Sequence, residues 1–311
     1  MRKNILIVIQ ILLVSCLWAS GRGETHEFLR VVTTTSIISD VVSNIGGDRI
    51  DLKGLISPGQ DPHSYEPAPR DIAEVEDADI IFVNGFDLEE GLLSIVETVN
   101  PGNVVEVSRQ VNPLVSEAEE QDHSEEHHHE SGDPHTWMSP LNVISWVDVI
   151  TEALSNAEPL HSSYFHQNAE IYKKELLQLH EGIINSLEGI PLEERVLVTD
   201  HNLFGHFARE YHFRVIGTLL PGYSSSSESS ARDTVRLLNL LNEQGVEAVF
   251  ISESAGEAVK KLAATLSRES DHTIIVKELL TGSLRKSGQE GDSYIRFMEY
   301  NTKQIVSGLR P

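Results

Sequence analysis

The sequence predicts an α/β protein of two lobes, each built on a parallel sheet, joined by one long helix. Three observations carry that expectation. Short β-branched runs alternate with amphipathic helical runs between residues 28 and 110, and the same alternation recurs between 195 and 279. Between the two stretches, residues 162–187 keep helical spacing with little turn chemistry, longer than a helix within one compact unit requires.

Taken in order, "LRVVT" (29–33) is a strand, and the helix after it has Thr35 or Ser36 as cap and Gly46-Gly47 as stop. "IDLKGLIS" is a second strand, ended by Pro58-Gly59. "RDIAEVEDA" reads as a short helix, "DIIFVNG" as a buried strand, "DLEEGLLSIVETV" as a helix and "NVVEVS" as a strand. "NVISWVDVITEALSNAEP" is an amphipathic helix preceding the long one. In the second half "RVLVTD", "RVIGTLL", "VEAVFIS" and "HTIIVKEL" are strands, with helices at "NLFGHFAREY", "ARDTVRLLNLLNEQG" and "AGEAVKKLAATLSRES". The Ser-rich "PGYSSSSESS" is expected to be a mobile connection rather than part of a site.

The chain has 311 residues, 40% of them hydrophobic, enough for two packed domains. Lys plus Arg number 24 against 48 for Asp plus Glu, a formal charge of −24 that repels phosphate backbones. A nucleic-acid partner is therefore not expected. Met1-Arg2-Lys3 followed by a short apolar run to Leu13 has the form of an export signal, too short to span a bilayer. Cys16 is the only cysteine, so neither an intramolecular disulfide nor a cysteine zinc cluster is available. Leu13-Val14-Ser15-Cys16 resembles a bacterial lipobox, which implies a lipidated Cys16 and residues 21–27 as a tether; the alternative is a chance cysteine in a signal cut further on.

His63 follows a strand by one turn, His201 follows "RVLVTD" directly, and His135 stands in a proline turn before a helix. Ligands of parallel α/β sheets gather beyond the carboxyl ends of the strands, so these imidazoles can converge across one cleft. Asp61-Pro62-His63 and Asp133-Pro134-His135 repeat one tripeptide, in which proline restricts both itself and the residue before it. Three neutral imidazoles suit zinc and leave one tetrahedral position open. Taken singly, a histidine in a turn is more often structural or merely exposed than a metal ligand.

"QDPHSYEPAPRDIAEVEDADIIFVNG", "DPHTWMSPLNV", "VTDHNLFGHFAREYHF" and "GDSYIRFMEYN" together resemble the metal-binding signatures of the TroA-like zinc and manganese solute-binding proteins of bacterial ABC importers, over residues 28–309. The resemblance implies two α/β lobes on one rigid helix with a metal in the cleft between them. It also implies His63, His135 and His201 as ligands, a membrane permease as partner, and an extracytoplasmic location, lipid-anchored or periplasmic. An aspartate common in that family falls here at Gly282, in "LLTGSLRKSG". The fourth ligand is thus unassigned; water is favoured over Glu278 or Asp292, and Gly282→Asp would add a ligand if the backbone there accepts a side chain.

Upstream of His135, "DHSEEHHHE" holds His123, His127, His128 and His129 in a composition that buries no core. It reads either as an inert charged insertion, about residues 117–131, or as an auxiliary loop that captures metal weakly. Zinc is expected over manganese because the three candidate donors are nitrogens, whereas copper or nickel would also bind them. The expected organisation is a signal and tether (1–27), a first lobe (28–160), a linking helix (161–190) and a second lobe (191–311), acting as a monomer and not as an enzyme. Competing readings are a manganese carrier, a three-histidine zinc hydrolase, for which the sequence offers no HExxH helix, and a metal-dependent surface adhesin involved in cell adhesion.

Overall fold

The computed structural model describes residues 28–114 and 132–310. Cys16 and the tract carrying His123, His127, His128 and His129 lie outside the described residues.

In the first lobe, β1 (Leu29–Thr33), β2 (Ile50–Gly54), β3 (Ile80–Val83) and β4 (Val104–Glu106) form a parallel sheet in the order β2-β1-β3-β4. Helices α1 (Ser36–Gly46), α2 (Pro69–Glu76) and α3 (Glu90–Val99) connect these strands, and α4 (Pro140–Ala157) follows them. A single helix, α5 (Ser162–Leu187), then leads into the second lobe. There β5 (Val196–Thr199), β6 (Arg214–Thr218), β7 (Ala248–Ser252) and β8 (Ile275–Leu279) repeat the arrangement as β6-β5-β7-β8, again all parallel. Helices α6 (Gly205–Tyr211), α7 (Ala231–Gln244) and α8 (Glu257–Glu269) connect the strands, and α9 (Tyr294–Leu309) closes the chain.

Alternation along each central strand divides the core. Val31, Ile80 and Phe82 of the first sheet, with Leu197, Ala248 and Phe250 of the second, point into one shared apolar cluster. Their neighbours Val32, Ile81 and Val83 face a cluster private to the first lobe, and Val198, Val249 and Ile251 one private to the second. Both faces of each sheet are covered, as parallel sheets require.

Helix α5, 26 residues and roughly 39 Å long at 1.5 Å per residue, runs through the shared cluster. Phe165, Ala169, Tyr172, Leu176, Leu179, Ile183 and Leu187 recur at intervals of three and four and form its buried stripe. That stripe packs on α1 and α4 of the first lobe and α9 of the second. Each fully buried Phe, Leu or Ile contributes about 1.5–3 kcal/mol relative to exposure. Reorienting the lobes would therefore disrupt the core that folds the chain.

Three features depart from the sequence expectations. Helix α9 was not anticipated, although Tyr294, Phe297, Met298, Asn301 and Ile305 carry a helical stripe and Ser293 caps it. Helix α3 begins at Glu90, later than its apolar pattern, because Gly85, Phe86 and Asp87 all have positive φ and form a left-handed turn instead. The Ser-rich segment joins the lobes: Ser225 donates its hydroxyl hydrogen to Asp61 Oδ2 at 2.6 Å.

Candidate metal centre

Each of the three histidines is preceded by an aspartate that fixes its backbone. Asp61 Oδ1 accepts the His63 N–H at 3.0 Å, and Asp133 Oδ1 accepts the His135 N–H at 3.0 Å. The repeated tripeptide is thus a repeated Asx-type turn, and Asp61 is extended before its proline, as sterics demand. Asp200 Oδ1 accepts the His201 N–H at 2.9 Å, directly after β5.

Two of these carboxylates also take the ring. Asp133 Oδ1 lies 2.8 Å from His135 Nδ1, and Asp200 Oδ1 lies 3.0 Å from His201 Nδ1. An ionised carboxylate only accepts, so each Nδ1 carries the proton and each Nε2 is left with its lone pair. Asp200 is anchored in turn by the Ser252 N–H at 2.8 Å, on the neighbouring strand. The sequence reading missed the part Asp133 and Asp200 play at the rings; their signal was an acid one or two residues ahead of each histidine.

The three rings converge. Their centroids are 5.2 Å apart for His63–His135 and His135–His201, and 5.6 Å for His63–His201. One ligand atom from each lies within 4.8 Å of the other two. His63 Nε2 and His135 Nε2 approach to 3.1 Å, a distance at which two lone pairs repel unless a proton or a cation lies between them. Trp137 stands edge-on to the His135 ring at 5.2 Å and donates Nε1–H to the Thr281 carbonyl at 2.8 Å, which ties the first lobe's segment to the second lobe. His135 and His201 are buried, whereas His63 is half-buried and lies at the outer side.

Burial, and next the charge of His135, pushes His63 from 6.5 down to about 3. Burial likewise holds His135 well below its ordinary value. Burial lifts Asp133 to about 6, opposed by His206 and the His135 backbone N–H. For Asp200 burial also raises, but the hydrogen bonds from His201 and Ser252 outweigh it and the net direction is downward. Burial thus favours the neutral imidazole at His63 and His135, a form suited to a divalent cation.

Gly282 lies in the segment after β8, against the first lobe. Its φ lies outside the left-handed region, so backbone conformation does not demand glycine there. Space does: a Cβ would sit 2.6 Å from Pro62 Cδ and 3.1 Å from Pro62 Cγ. An aspartate at 282 therefore requires Pro62, next to His63, to move, and this corrects the expectation of a simple added ligand. Glu278 is half-exposed and 3.9 Å from Lys260 Nζ, while Asp292 is engaged by Arg296 at 2.6 Å and by the Gly288 N–H at 2.7 Å.

The chain matches the family described as zinc-uptake complex component A, periplasmic, over residues 31–308. It is similar to the manganese-binding lipoprotein MntA of Halalkalibacterium halodurans, with 32% identity over 290 residues that cover 93% of this chain and 91% of that protein. It is also similar to the manganese ABC transporter substrate-binding lipoprotein PsaA of Streptococcus pneumoniae, with 30% identity over 304 residues, 96% of this chain and 94% of that one. Among solved structures, the periplasmic zinc-binding protein TroA of Treponema pallidum superposes with a TM-score of 0.77 at 30% identity, covering 90% of this chain and 99% of that one.

Proposed function

Since this chain belongs to the periplasmic family of zinc-uptake complex component A, we propose that it captures zinc outside the cytoplasm at His63, His135 and His201 and delivers it to the permease of an ABC importer. It is a metal-binding solute-binding protein, and its relatives are transport proteins rather than enzymes. The observation that carries zinc over manganese is the donor set: among the described residues the converging ligand atoms come from three histidines and no carboxylate. Imidazole nitrogen suits zinc, whereas manganese prefers oxygen.

Water fills the fourth position in this reading, and the cation enters beside His63, the least buried of the three. Three nitrogens hold zinc firmly, while an exchangeable fourth position gives a receiving site somewhere to begin displacement. Cys16 is the acylated residue, residues 1–27 the signal and tether, 28–160 and 191–311 the lobes, and the protein acts as a monomer. Among the described residues no helix is long and apolar enough to cross a membrane. His123, His127, His128 and His129 gather zinc loosely ahead of the centre.

The manganese reading is favoured by the names of two relatives, MntA and PsaA. Because zinc outbinds manganese at most nitrogen and oxygen sites, metal analysis of the protein isolated from its own cells without chelator or added metal decides between the two. Zinc as the metal carried supports the proposal, and manganese as the metal carried overturns it.

A further inference from the structure

His206 is fully buried at the start of α6, in the second lobe, and has no part in the centre described above. Its Nδ1 faces two donors, Asn142 Nδ2 at 3.1 Å and an Arg209 guanidinium nitrogen at 3.4 Å. Both groups only donate through these atoms, so Nδ1 keeps its lone pair and the proton sits on Nε2. That Nε2–H points at the backbone carbonyl of Asp133, 3.0 Å away. Beside it, Asp133 Oδ2 is buried without a hydrogen-bond partner and lies against Gly205, where a Cβ would come within 2.5 Å of it. Helix α6 therefore grips Asp133 at two places, by a donor to its carbonyl and by a bare glycine surface under its carboxylate.

We propose that His206 is a positioning residue for the metal centre: its Nε2–H holds Asp133 from the opposite lobe, so that the Asp133 carboxylate fixes the His135 ring. The chain runs from His201 into α6 within a few residues, so the same element that presents one imidazole sets the orientation of another. Asn142, on α4 of the first lobe, completes the link by fixing which nitrogen of His206 carries the proton. The inference rests on the reading of His135 as a ligand.

The test uses zinc and cobalt(II) as probes on the full chain. His206→Leu keeps bulk and removes the donor; His206→Gln keeps an amide N–H. The Leu variant is expected to lose about 10 to 100-fold in zinc affinity, the range for outer partners of a metal ligand, and to shift the cobalt d–d bands. The Gln variant is expected to recover most of both. Wild-type affinity and cobalt spectrum in His206→Leu, even with a lowered melting temperature, would overturn the proposal, as would a Gln variant no better than Leu. If His206→Leu does not fold, Asn142→Ala serves: a shifted cobalt spectrum supports the proposal and an unchanged one overturns it. His135→Ala is measured alongside, because retained zinc affinity there overturns the metal reading itself, whereas loss there with no effect at His206 overturns the positioning role alone.

Discussion

The tripeptide Asp-Pro-His occurs twice, and its two copies end in different places. In both, the aspartate accepts the histidine backbone N–H at 3.0 Å, so local sequence sets the same turn. Beyond that they diverge. Asp133 is buried and also takes the His135 ring at Nδ1, while Asp61 spends its second oxygen on Ser225 of the opposite lobe. His135 is 2% exposed and braced by Trp137; His63 is half-buried. A local motif fixes the direction in which an imidazole leaves the chain, and tertiary packing then decides whether, in the proposed centre, it is the buried anchor or the ligand at the mouth.

Removing the histidines should expose that difference most strongly. His135→Ala and His201→Ala are each expected to weaken zinc binding by more than about 100-fold, beyond the range of outer partners. His63→Ala should also exceed that range but cost less than His135→Ala, because a water can replace a ligand at the more accessible edge. Calorimetric competition measures all three, and a His63 variant weaker than the His135 variant would reverse the assignment of anchor and mouth.

The aspartates separate the copies at the next level. Asp133→Asn keeps a turn acceptor but puts a neutral amide against the His135 ring in place of a carboxylate, and should cost about 10 to 100-fold in zinc affinity. Asp61→Asn keeps a turn acceptor and has no ring contact to lose, so its effect is expected to be several-fold at most. Equal losses in a competition assay would mean that the carboxylate's contact with the His135 ring is not what separates the two copies.

Smaller still is the effect of pH on the metal-free protein. Burial depresses His63 and His135 below 6.5, so the unfolded chain binds more protons than the folded one in that range. The histidine contribution to stability is therefore held above pH 6.5 and is lost as pH falls from there towards about 3. Asp133, raised to about 6, and Glu89, raised to about 7, contribute in the opposite sense. Melting temperatures of wild type and histidine variants compared across that window isolate the histidine sign: replacing His135 by a non-titrating residue should change the slope more than replacing His63, whose site water reaches. Zinc affinity should decline in the same direction, since protons compete for the Nε2 lone pairs.

Much of this was legible in the sequence, for identifiable reasons. Strand and helix periodicity is a local signal, and the long helix at Ser162–Leu187 stands where its spacing put it. The placement of His63 and His201 after strands pointed to a shared cleft, the family resemblance joined His135 to them, and the three side chains do converge. Contacts between distant segments were not legible. That Gly282 abuts Pro62, that Ser225 reaches Asp61, and that His206 holds the Asp133 carbonyl all depend on how two lobes meet across α5. Helix α9 is a different case: its apolar spacing is legible in the sequence, with Tyr294, Phe297, Met298 and Ile305 at helical intervals behind the Ser293 cap.

X-ray absorption on the zinc-loaded protein tests most directly whether three imidazoles, without a carboxylate, hold the cation. The expected spectrum contains the multiple-scattering pattern of three histidines plus one light oxygen that a competing anion displaces; a carboxylate that persists under the same treatment, or fewer than three imidazoles, would contradict it.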